Sequence, residues 1–455
     1  MSLARIVALL ALIAAVVLAA CGDDDEESSS PTDTASVSAE DCTADKLDTL
    51  DPGVLTVATD DPAFPPYFED NDPTNGEGFE SAVAYAIADE LGFSQDQVEW
   101  VVEPFNSSYR PGPKDFDFDV NQISITPKRA EAVDFSSPYY TASQAVVALK
   151  GSEAASATSL ADLADTQFGV QIGTTSLEAV EASIQPSSEP SVFDTSNDVV
   201  TALKQEQVDA VVVDVPTAFY LTAVQVPEAE IVGQFSAPGG DEWGALLEKG
   251  SPLTACVSFA IDSLREYGRG IAGGFLFSLP LILTMEVWAA GATVPPLRLL
   301  AGLAATFVLL CGYNAFAGLH HESTLGEVLV DSIEELGIGL ALSAIILLLL
   351  GRIGPGSGLS EALGLILVEG LFVAVGVSVG TAQLSGGGEA EWRGQPQGRH
   401  QTIWSELVLA ACGAVLVAAN VAPTEEILLL AAEMGPPLLL ATMASSLALA
   451  AILLY

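Results

Sequence analysis

The chain has 455 residues, enough for more than one domain with a sizeable core. Acidic residues outnumber basic ones 60 to 15, for a formal net charge of −45. That argues against nucleic acid or an anionic membrane surface as partner, because phosphate binding needs Lys and Arg to displace counterions. Half of all residues are nonetheless hydrophobic. The two properties are separated: most of the acid excess precedes Tyr267, and most unbroken apolar sequence follows it.

The first segment reads as an export signal. Arg5 is the charged start, Ile6 to Val17 the apolar stretch, and Leu18-Ala19-Ala20-Cys21 the small-residue cleavage site. A cysteine directly after the cut resembles a bacterial lipobox, which implies lipid on Cys21 as the mature N-terminus. Residues 1–20 are therefore expected to be a lipoprotein signal peptide. Residues 21–42 carry almost no apolar side chains and are expected to be a flexible acidic tether. The five cysteines sort by position. Cys311 and Cys412 lie in apolar runs, where a small buried thiol is the default. Cys42 and Cys256 bracket the exported domain, and export allows a stabilising disulfide between them. No cysteine or histidine spacing suits a metal.

From Gly53 strand-like and helix-like stretches alternate. "VLTVAT" is a β-branched run; "GFESAVAYAIADELGF" puts Phe79, Val83, Ile87 and Leu91 on one helical face and stops at Gly92. "VEWVVE", "FDVNQISI", "FGVQIG" and "VDAVVVDV" follow as strands, with helical stretches such as "SNDVVTALKQEQ" between several of them. This alternation predicts an α/β domain with mostly parallel sheets.

Three places in it suit a zwitterion. Arg129 follows a strand-like run close to Ser124 and Thr126, and a guanidinium fork with nearby hydroxyls fits a carboxylate. "GVQIGTTSLEAV" sets Thr174 and Thr175 at a helix start, where amides and hydroxyls can cradle the same anion. Asp214 ends a buried strand and can accept from an ammonium. Taken singly, each also fits a structural role: a surface ion pair for Arg129, a helix cap for the threonines, a strand-end cap for Asp214.

Together, "VLTVATDDPAFPPYF", "GFE", "NQISITPKRAEAVDFSSPYY", "GVQIGTT", "DAVVVD" and "GSPLTACV" resemble the family 3 extracellular solute-binding proteins, the polar amino acid receptors of ABC importers. The resemblance runs from about Leu47 to Gly268. It implies a type II periplasmic-binding-protein-like fold over residues 43–268, two α/β lobes that close over a ligand. It further implies that Arg129, with Ser124 and Thr175, holds an α-carboxylate, that Asp214 and the Gln122 carbonyl take the α-ammonium, and that Phe64 and Phe105 wall the pocket. Two departures stand out: "PFNSSYRPGPKDF" replaces the usual helix, since Pro-Gly-Pro breaks it, and the family's final helix is missing after "AIDSLREYG".

Residues 269–455 are expected to be an all-α transmembrane domain of about six helices. The apolar stretches are Ile271 to Ala290, Leu297 to Gly318, Leu336 to Leu350, Leu363 to Leu384, Leu407 to Val421 and Pro436 to Leu454. Trp288, Trp392 and Trp404 fit interfacial anchors. "RGIAGGFLFSLPLILTMEVW" resembles the opening of an uncharacterised family of bacterial multi-spanning membrane proteins, which implies placement without mechanism. Glu369 falls inside an apolar run, where a carboxyl is costly and is either paired or functional in ion or proton movement. With the acidic domain outside, most arginines near the span ends also fall outside, against the positive-inside tendency.

The expected function is extracytoplasmic binding of an amino acid or similar small polar solute for an ABC-type importer permease, with anchorage in the bacterial cell membrane by lipid and by helices. The alternative is a ligand-responsive membrane receptor or transporter in which the binding domain gates the spans. No acid or base constellation beyond the binding motif suggests an enzyme, and no cofactor is expected.

Overall fold

The computed structural model describes residues 41–237, 239–282, 285–317, 325–354, 356–383 and 411–415. The signal peptide, Cys21 and nearly all of the acidic tether lie outside the described residues. Contacts divide the chain between Arg265 and Glu266.

The first unit holds ten strands: β1 (Leu55–Thr59), β2 (Val98–Val102), β3 (Phe118–Asp119), β4 (Asp134–Thr141), β5 (Gln144–Leu149), β6 (Phe168–Gln171), β7 (Ser191–Phe193), β8 (Ala210–Asp214), β9 (Ala229–Phe235) and β10 (Glu242–Leu247). They form two five-stranded sheets, ordered β2-β1-β3-β10-β4 and β7-β6-β8-β5-β9. Each sheet is the centre of one lobe, and the chain crosses between lobes from β4 to β5 and from β9 to β10.

The sheets are mixed, which corrects the expectation of mostly parallel ones. β1 pairs parallel with β2 and β3, and β6 with β7 and β8. β10 runs antiparallel to β3 and β4, and β5 to β8 and β9. The crossings supply the reason. A strand reached from a βα unit ends at the cleft between the lobes, whereas β5 and β10 begin there. Gln144 at the start of β5 therefore faces Asp214 at the end of β8, and Glu242 faces Thr141.

Burial follows from covering a sheet on both faces. Along β5, Ala145 and Val147 enter one core cluster while Val146 and Ala148 enter another, the period-two alternation of a strand. This is why "QAVVAL" and "AVVVD" read as continuous apolar runs. In the other lobe the core gathers Leu55, Val57, Phe68, Ile87, Leu91, Phe118 and Trp243, with the disulfide of Cys42 and Cys256 inside it.

Two local expectations need correction. The helix Phe79–Glu90 buries Glu80, Ser81, Ala84, Ile87 and Ala88, while Phe79 is 38% exposed. The buried face is rotated toward Glu80 because that carboxyl has partners inside, as described below. "FDVNQISI" is a strand only at Phe118–Asp119; Gln122 has a positive φ of 49° and turns the chain out of the ladder, leaving Ser124 in an isolated bridge to Trp243. "PFNSSYRPGPKDF" forms one helical turn, Phe105–Ser108, before its Pro-Gly-Pro.

The second unit is helical. The helix Thr254–Ile282 begins in the first unit and continues past Arg265, and Met285–Thr293, Pro296–Ala317, Leu325–Leu349 and Leu359–Gln383 follow. Among the described residues three helices are long and apolar enough to cross a membrane: Pro296–Ala315, Leu325–Leu349 and Leu359–Thr381. The third expected stretch starts at Leu325 rather than Leu336, because Glu327, Asp331, Glu334 and Glu335 lower the hydropathy without breaking a helix. The first expected stretch falls on two helices. Of the fifth only residues 411–415, helical, are described, and the sixth lies outside the described residues.

Helices in this unit meet where side chains are smallest: Gly273 against Gly380, Gly291 against Gly364, and Gly339 against Ala374. Glu369 is buried, and its Oε1 accepts from the Trp288 indole at 2.9 Å. The Arg352 guanidinium lies 3.6 Å from the centre of the Trp288 ring. A second buried carboxyl, Glu335, accepts from Asn314 at 2.9 Å, and Asn314 also meets Ser332 and Ser378 on neighbouring helices. Glu335 stands one residue before the apolar stretch expected from Leu336, so hydropathy does not single it out.

Candidate ligand-binding site

A cavity of about 390 Å³ lies between the two lobes. Phe64, Phe105, Gln122, Ser124, Thr174, Thr175 and Asp214 all line it. The structure thus brings together seven of the eight residues expected from the sequence.

The eighth, Arg129, lies behind this wall. It is 8% exposed, on a helical turn whose N-cap is Thr126, and its Nη1 donates to the Ser124 carbonyl at 2.7 Å and its Nη2 to the Gly173 carbonyl at 2.8 Å. Those acceptors come from opposite lobes. The cation is also flanked by the rings of Tyr109 and Phe105, 4.8 Å and 5.5 Å from their centres. Tyr109 comes from the segment that departs from the usual helix, so the departure supplies a wall for the guanidinium. Burial lowers the pKa of Arg129 from its ordinary value, although it stays charged at any physiological pH.

Ser124 Oγ is 3.2 Å from Thr175 Oγ1, a contact between lobes. Thr174 caps the helix Thr175–Ala179, accepting from the Leu177 amide. A second contact joins Tyr67 OH to Thr217 Oγ1 at 2.9 Å. Gly173 has a φ of +75°, and a Cβ there would stand 2.5 Å from Tyr109 Oη and 2.9 Å from Asn106 Oδ1. Gly173→Ala is therefore expected to strain the turn and hold the lobes apart, weakening ligand binding roughly tenfold, an effect of about 1–2 kcal/mol. Titration calorimetry on the variant checks this.

Asp214 closes β8 and accepts from Gln144 Nε2 at 2.9 Å. Burial, and then the charge of Asp241, push its carboxyl up to about 8. Glu80, fully buried, accepts from the Gln122 amide at 2.7 Å, from the Gln122 side-chain amide and from Tyr139. Burial raises it to about 7 against those hydrogen bonds. It fixes the left-handed turn of Gln122 at the cavity wall. Within "GFE" nothing local marks Glu80 for a role, and Gln144 and Asp241 stand in no motif; their only sequence signal is polarity at the two places where the chain crosses between lobes.

Residues 55–269 match the model of the bacterial extracellular solute-binding proteins, family 3, and residues 266–455 that of the integral membrane protein family DUF2391. The chain is 30% identical over 207 residues to the arginine-binding extracellular protein ArtP of Bacillus subtilis (strain 168), covering 44% of this chain and 78% of ArtP. The chain belongs to the family 3 extracellular solute-binding proteins. A second member, the L-cystine-binding protein TcyJ of Escherichia coli (strain K12), is 27% identical over 210 residues, covering 45% of this chain and 75% of TcyJ. Among solved structures, an ancestral arginine-binding protein bound to arginine is 32% identical, with 48% of this chain and 94% of that chain covered and a TM-score of 0.39. The two-lobed architecture is that of a family 3 solute-binding protein, followed by a helical membrane region.

Proposed function

We propose that residues 43–268 bind an α-amino acid with a positively charged side chain outside the cell membrane and present it to an ABC-type importer permease. Ser124 and Thr175 take the α-carboxylate with the Arg129 cation behind them, and Asp214 with the Gln122 carbonyl takes the α-ammonium. The observation that carries the choice of side chain is the cavity wall. Asp60, Asp61, Asp194 and Asp214 line it, and among the described residues its lining contains no Lys, Arg or His. Asp214 is matched by the α-ammonium, which leaves Asp60, Asp61 and Asp194 for a second cation. Phe64 and Phe105 offer apolar surface to the methylenes between. The name of ArtP as an arginine-binding protein supports the same choice. Lipid on Cys21 and the helices after Arg269 serve as anchors.

Titration calorimetry of the full chain in lipid nanodiscs against L-arginine, L-lysine, L-cystine, L-glutamine and L-glutamate tests this. L-Arginine or L-lysine is expected to bind at least roughly 100-fold more tightly than L-glutamate, about 3 kcal/mol. Preference for L-glutamate, or heat from none of the five, would overturn the reading.

A further inference from the structure

Asp241 lies on the second crossing between the lobes, immediately before β10, and its backbone carbonyl accepts from the Ala142 amide on the first crossing at 2.7 Å. Its side chain is 2% exposed, and its Oδ1 has no hydrogen-bond partner among the described residues. Its Oδ2 accepts from Gln144 Nε2 at 2.6 Å and from Thr175 Oγ1 at 3.2 Å. The same Gln144 nitrogen donates to Asp214 Oδ1 at 2.9 Å. One amide nitrogen thus holds two carboxyls, so those oxygens are no further apart than the two hydrogen bonds laid end to end. Gln144 cannot turn to favour one of them, because its Oε1 is held by Ser176 Oγ at 2.7 Å.

Two carboxylates this close in a buried cleft do not both ionise readily, since each charge opposes the other where water is excluded. The remaining ionisable groups around the pair differ between its two sides. Arg129 is the cation on the Asp241 side. Glu80, Tyr67 and Tyr140 face Asp214 and bring no positive charge.

We propose that the Asp214 carboxyl, held against Asp241 through Gln144, carries a proton before ligand arrives, that the ligand ammonium displaces this proton to solvent as it binds, and that Asp241 thereby sets the pH range over which the domain captures its ligand. The proposal rests on the amino-acid reading above. Asp241 does not line the cavity; it is a positioning residue that acts through Gln144 and Asp214. The step balances simply: O–H of the Asp214 carboxyl breaks, the carboxylate pairs with the ammonium, and the proton leaves with the buffer. Affinity then rises with pH by about tenfold per unit wherever one proton is released. The raised carboxyl of Asp214 places this regime on the acid side of about 8.

Two measurements on the full chain in nanodiscs test it. Infrared difference spectra without ligand, wild type minus Asp214→Asn, are expected to show a protonated-carboxyl band at pH 6.5 that fades with rising pH and shifts its midpoint to lower pH in Asp241→Asn. Calorimetry with L-arginine at pH 6.5 in buffers of different ionisation enthalpy is expected to show about one proton released per ligand, and less in Asp241→Asn. Asp241→Ser serves as the second variant if the asparagine does not fold. Binding of L-arginine with no such band and no proton release would overturn the proton on Asp214 while leaving the amino-acid reading intact. A band accompanied by no heat from any amino acid would overturn the amino-acid reading and the displacement step with it. Proton release and midpoint unchanged in both variants would remove Asp241 from the device.

Discussion

Arg129→Ala is expected to weaken binding of L-arginine by roughly 100-fold or more, about 3 kcal/mol, the scale for removing one partner of a buried charged network. The size follows from what the side chain joins. Its two terminal nitrogens donate to Ser124 in one lobe and Gly173 in the other, so alanine takes away an interlobe tie as well as the cation proposed to stand behind the carboxylate. It also leaves Tyr109 and Phe105 facing a void where the guanidinium stood. Arg129→Lys is expected to recover less than about a tenth of the affinity, because a single ammonium cannot reproduce two divergent donors and the stacked plane at once. Calorimetry at fixed pH gives the affinities, and thermal unfolding without ligand reports the structural share of the loss. Binding within threefold of wild type in the alanine variant would remove Arg129 from the site.

How much of this was legible in the sequence depends on whether a residue's role is local. Thr175 and Asp214 sit at a helix start and a strand end that short segments specify, and the order of the motifs along the chain implies the two-lobed fold. The apolar runs of β5 and β8 are visible because both faces of the second sheet are covered. Glu80 was not legible as buried, since its place on the inner face of its helix depends on Gln122 and Tyr139, 42 and 59 residues away. The Gln144 bridge is hidden for the same reason, its acceptors lying 70 and 97 residues further on. Antiparallel β5 and β10 follow from the crossings, which local periodicity does not encode. In the helical region the acidic residues of Leu325–Leu349 hid the true start of the helix, because hydropathy reports composition and not backbone conformation.

Removing the disulfide is expected to have the largest effect on stability. Cys42 and Cys256 are separated by 214 residues, and closing a loop of that length contributes about 5 kcal/mol in the chain-entropy model. That is a large share of the roughly 5–15 kcal/mol that holds a domain folded. The bridge enters the core of the first lobe, where both cysteines are buried in one cluster with Leu91, Phe93, Leu253 and Val257. The double variant Cys42→Ala, Cys256→Ala avoids leaving hydroxyls there. Neither cysteine lines the ligand cavity, so the folded fraction at low temperature should bind L-arginine within about threefold of wild type. Denaturant unfolding followed through tryptophan should then begin in the first lobe, whose core and sheet hold Trp100 and Trp243, while the sheet β7-β6-β8-β5-β9 packs without either cysteine. A loss below about 1 kcal/mol would mean that the unfolded chain already holds its ends together, and that the loop term does not govern this domain.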